Sequence, residues 1–70
     1  MENIRVRDVK KALRLCGWVL VRVVGDHSEF VHPNVPESFI ISGKGYDLVP
    51  PATLRSMERR VGLCFGRVLH

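Results

Sequence analysis

Seventy residues with 46% apolar side chains make one small domain, enough for two packed layers and not for three. A formal net charge of +4 and a pI near 9.7 favour polyanionic partners and fast, salt-sensitive association. No signal-like segment and no run of 18 or more apolar residues is present, so the expected compartment is a reducing cytoplasm, with no membrane partner.

Val6, Val9, Ala12, Leu13 and Cys16 recur at three- and four-residue steps and predict a helix from about Val6 to Cys16. Asp8 in its first turn and Arg14 near its end suit the helix dipole, and Gly17 supplies a left-handed stop. Cys16 and Cys64 form neither a CxxC pair nor a larger framework; Cys16 reads as a small buried apolar residue on the helix face.

Trp18 to Val24 is almost continuously apolar and β-branched, which predicts a strand. Gly25-Asp26 has turn chemistry, so His27 to His32 is expected to return as the second strand of a hairpin. Pro33 and Pro36 break the chain before a third strand at about Ser38 to Ser42. Gly43 to Asp47 reads as a loop. Prolines 50 and 51 precede a second helical stripe of Leu54, Met57 and Val61, closed by Gly62. The order is helix, strand, strand, strand, helix.

On a regular first strand Trp18, Leu20 and Arg22 share one face while Val19, Val21 and Val23 share the other. Two apolar faces imply a cover over the second one, most simply another protein chain; the alternative is a bulge near Val23-Val24 that re-registers the strand. Residues 64–70, with Phe65, Val68 and Leu69, are expected as a tail, either an added strand, a dimer arm or a disordered end.

Gly17-Trp18, Gly25-Asp26-His27, Phe30, His32-Pro33, Thr53-Leu54-Arg55-Ser56 and Gly62-Leu63 follow one another in an order and spacing that resembles the HicA toxin family. The likeness spans about four-fifths of the chain, and residues 1–63 are taken as the HicA-like domain. It departs from the family pattern at Asp26, where a serine is usual, and at Ser42-Gly43-Lys44-Gly45, where the family often has another histidine. The resemblance implies an α+β, dsRBD-like αβββα fold with both helices on one face of a three-stranded antiparallel sheet. It also implies cleavage of messenger RNA, a HicB-like antitoxin as protein partner, and His27 as the catalytic residue. A homodimer is a further candidate assembly.

Cutting RNA without a metal requires a base for the 2′-hydroxyl proton, an acid for the leaving 5′-oxygen, and positive charge facing the phosphate. Histidine suits proton transfer near neutral pH. His27 follows a turn in which Gly25 allows close backbone approach, and Glu29, two residues on, shares its face of the strand. Glu29 and Asp26 are therefore candidates for tuning its protonation. His32 is an odd number of residues away and faces the other side, which suits a strand-end role. Arg22, Lys44 and Arg55 are the candidate RNA contacts, and Tyr46 is a loop aromatic suited to stacking or to packing. No ligand-spaced His, Cys or carboxylate set suggests a metal, and no Gly-rich phosphate loop suggests a nucleotide cofactor. The rival readings are a catalytically silent dsRBD-like RNA-binding module and a subunit that binds only protein.

Overall fold

The computed structural model describes residues 4–62 and Arg67. The elements are α1 (Val6–Leu15), β1 (Val19–Val24), β2 (His27–His32), β3 (Val35–Ser42) and α2 (Pro51–Val61). The sheet is antiparallel in the order β1-β2-β3, with the middle strand hydrogen-bonded on both sides. This is the expected αβββα arrangement.

Helix α1 forms where the apolar stripe says it should. Val6, Val9, Ala12 and Leu13 are its buried residues, and they meet Trp18, Phe30, Phe39 and Ile41 from the sheet and Leu54 and Met57 from α2. Both helices therefore share one side of the sheet and one core. Its N-terminal donors are satisfied from distant chain: the N–H groups of Val6 and Arg7 donate to the carbonyls of Asp47 (2.9 Å) and Gly45 (3.0 Å). Asp8 reaches back to accept the Arg5 N–H at 2.8 Å. At the other end Gly17, with φ +94°, allows the Trp18 N–H to reach the Leu13 carbonyl and the Gly17 N–H to reach that of Arg14, which closes the helix as a Schellman turn.

Two strand details correct the sequence reading. β3 begins at Val35, because Pro33-Asn34 makes a tight turn rather than a long break. Pro36 is tolerated there because β3 is an edge strand. The bulge in β1 falls between Leu20 and Arg22, at Val21, and not near Val23-Val24. It leaves Leu20 opposite Phe30 and Val23 opposite Ser28 on the helix side, and turns Val19, Arg22 and Val24 to the other face. Leu20 and Arg22 thus do not share a face as expected.

The face away from the helices carries Val19, Val24, Val31 and Ile40, all exposed, around Arg22, His27 and Glu29. Cys16 is half-buried against the core and is disulfide-bonded, where a free apolar-like side chain was expected; Cys64 lies outside the described residues. The tail expected over 64–70 also lies outside them, apart from Arg67. No helix is long and apolar enough to cross a membrane among the described residues.

Candidate active site

The hairpin builds the site. Gly25 adopts φ +57°, a left-handed conformation that glycine takes without strain, and the chain reverses through Gly25-Asp26 into His27. His27 pairs with Val24 on one side and Ser42 on the other, so it sits on the middle strand at the turn end. Its neighbour Ser28 is buried beneath the helices, so strand alternation places His27 on the open face. The residue is exposed, and its ring makes no hydrogen bond or ion pair with any described residue.

Glu29 stands on the same open face, as strand parity requires, and is directly opposite Arg22. The Arg22 Nε lies 3.3 Å from Glu29 Oε1. The carboxylate is therefore engaged across the strand by a guanidinium, and no direct hydrogen bond joins it to His27. The bulge at Val21 is what makes this pair: on a regular strand Arg22 would share the face of Leu20, toward the helices. Asp26 is exposed in the turn, and its carbonyl accepts the Gly43 N–H at 3.0 Å.

That last bond brings the β3–α2 loop beside the hairpin turn. The loop is stiffened by Asp47, whose Oδ2 accepts the Lys44 N–H at 2.9 Å while its own N–H donates to the Lys44 carbonyl at 2.9 Å. Lys44 is exposed, with Nζ 6.0 Å from the centre of the exposed Tyr46 ring. Of the candidate cations, Arg22 and Lys44 are thus placed near the turn end of β2. Arg55 is exposed on α2, and no described contact ties it to that end. Arg5 and Arg7 were missed by the sequence reading. Arg5 donates through Nη1 to the Tyr46 carbonyl, and the Arg7 backbone is held by Gly45, so both flank the same loop. The signal that would have found them is a long-range pairing between the start of α1 and residues 45–48, which no local pattern encodes.

The other histidine of this strand is occupied. His32 Nδ1 accepts the Asn34 N–H at 3.0 Å, so Nε2 carries the proton and donates to the Cys16 carbonyl at 3.2 Å. The ring also packs on Trp18, with centroids 5.3 Å apart. It donates to the carbonyl of the residue that ends α1, tying that helix end to the sheet. Its strand-end role is structural.

Fold and site together define a dsRBD-like α+β domain with an exposed histidine at a hairpin turn that no described residue engages. A family described as the HicA toxin of bacterial toxin–antitoxin systems matches residues 6–63, and the chain belongs to that family. It is thereby of the toxin class of such systems, and a HicB-type antitoxin is the implied partner. No curated protein matches the chain.

Proposed function

We propose that this toxin is a metal-independent endoribonuclease acting on messenger RNA, with His27 as its acid–base group and the cytoplasm as its place of action. The observation that carries the reading is the state of His27: exposed, at the turn end of the middle strand, with neither ring nitrogen bonded to any described residue. In the cleavage step the 2′-oxygen forms a bond to phosphorus as the bond from phosphorus to the 5′-oxygen breaks. His27 takes the 2′-hydroxyl proton, and the departing 5′-oxygen is protonated by the resulting imidazolium or by water. One positioned acid–base group supplies about 10²–10⁴ in rate, so the enzyme is expected to be slow. A single cut inactivates a message, which makes a slow enzyme sufficient.

Lys44 and Arg22 supply positive charge toward the RNA backbone, and Arg55 extends it along α2. Part of the Arg22 charge is offset by Glu29. Glu29 and Asp26 act on His27 only through space in this arrangement.

The test is expression of wild type and His27→Ala, followed by growth and RNA integrity. Wild type is expected to arrest growth with fragmented messages, and His27→Ala to do neither. Arrest by both proteins with intact RNA would instead support the catalytically silent RNA-binding module.

A further inference from the structure

A cleft of about 540 Å³ opens between the free edge of β3 and the segment leading into α2. Its walls include Ile40, Ser42, Asp47, Leu48, Thr53 and Met57. The volume lies in the range of small-molecule sites. Ser42 is also the ladder partner of His27, so the cleft begins one strand away from the candidate catalytic ring, on the Lys44 side.

The wall chemistry selects what can enter. Ile40, Leu48 and Met57 give apolar surface suited to the faces of a flat ring, while Ser42 and Thr53 offer hydroxyls at its edges. The charged group in the lining is Asp47. One of its oxygens is held by the Lys44 N–H, and the other takes part in no described contact. A carboxylate repels phosphate and accepts N–H groups, so a nucleotide would enter base first and leave its phosphates toward Lys44 and His27.

We infer that this cleft holds one unstacked nucleobase next to the scissile phosphate, and that Asp47 favours bases bearing an exocyclic amino group over uracil. This rests on the proposed action on RNA and adds a sequence preference to it. Specific reading of RNA works on splayed single-stranded bases, and a carboxylate accepting from the cytosine amino group is a known mode of base readout. Uracil presents a carbonyl where cytosine presents that amino group, and the carbonyl oxygen would face the carboxylate.

The experiment is an amide-resolved NMR titration of the full chain with cytidine and uridine monophosphates, which carry the same phosphate and ribose. Cytidine monophosphate is expected to shift the amides of Ser42, Leu48 and Thr53, and to bind about 5- to 100-fold more tightly than the uridine nucleotide. Asp47→Asn keeps an acceptor for the Lys44 N–H and is expected to level the two affinities. Leu48→Trp, at an exposed position, is expected to fill the cleft and abolish both sets of shifts. Equal binding of the two nucleotides by wild type, or shifts that avoid these amides, would overturn the inference. Intact RNA with wild-type protein would sink the nuclease reading instead, and the titration decides the base site either way.

Discussion

Strand β2 begins and ends with histidine, and the two rings live in opposite conditions. His32 has both nitrogens bound and one face against Trp18, and it ties the end of α1 to the sheet. His27, five positions earlier on the same strand, is exposed on the other face and makes no hydrogen bond with any described residue. A histidine with all its valences spent inside the protein can hold a fold together but cannot exchange a proton with a substrate. Free nitrogens can. The pair shows that residue type and even motif membership do not separate an occupied histidine from one open to a substrate; strand parity and hydrogen-bond occupancy do.

The sharpest way to break this comparison is to remove each ring in turn. His27→Ala should lower RNA cleavage by about 10²–10⁴ while leaving thermal stability within about 0.5 kcal/mol of wild type, measured by single-turnover cleavage and by thermal melts. A variant that still cuts RNA would mean that the free ring is idle. His32→Ala should do the reverse. It loses two hydrogen bonds at about 1 kcal/mol each and a ring contact of about 0.5–1.5 kcal/mol, so denaturant melts should show about 2–4 kcal/mol of destabilisation. Cleavage by the fraction that remains folded should persist.

Gly17→Ala probes the locked end without substituting either ring. A Cβ there would sit 3.1 Å from His32 Nε2, on a residue with φ +94°. A left-handed alanine alone costs about 1–2 kcal/mol, and the ring must shift as well. The smallest effect is expected at the open end. Glu29→Gln removes the partner of a largely exposed Arg22, whose surface ion pair contributes at most about 1 kcal/mol. Stability should barely move, whereas RNA affinity should rise and fall more steeply with salt, because the guanidinium is released for phosphate. Unchanged affinity and salt slope would show that Arg22 does not face the RNA.

Much of this arrangement was legible before the structure. The apolar stripe of α1, the Gly17 stop, the Gly25-Asp26 turn and the bounds of β2 follow from local periodicity and turn chemistry. So does the placement of His27 and Glu29 on one face and His32 on the other, since parity is a property of any regular strand. The bulge at Val21 was misplaced because the valines around it carry no marker, and any of them fits the extended backbone. β3 was read too short because prolines signal breaks, although an edge strand accepts one.

By itself the sequence determined the order of elements, the small basic domain and the two-faced second strand, all set by interactions a few residues apart. Only the tertiary structure decided which face Arg22 occupies, that loop carbonyls at 45 and 47 cap α1, and that a cleft opens beside Ser42. Those features arise where distant segments share hydrogen bonds or leave a gap between them, and neither spacing nor composition records which segments will meet.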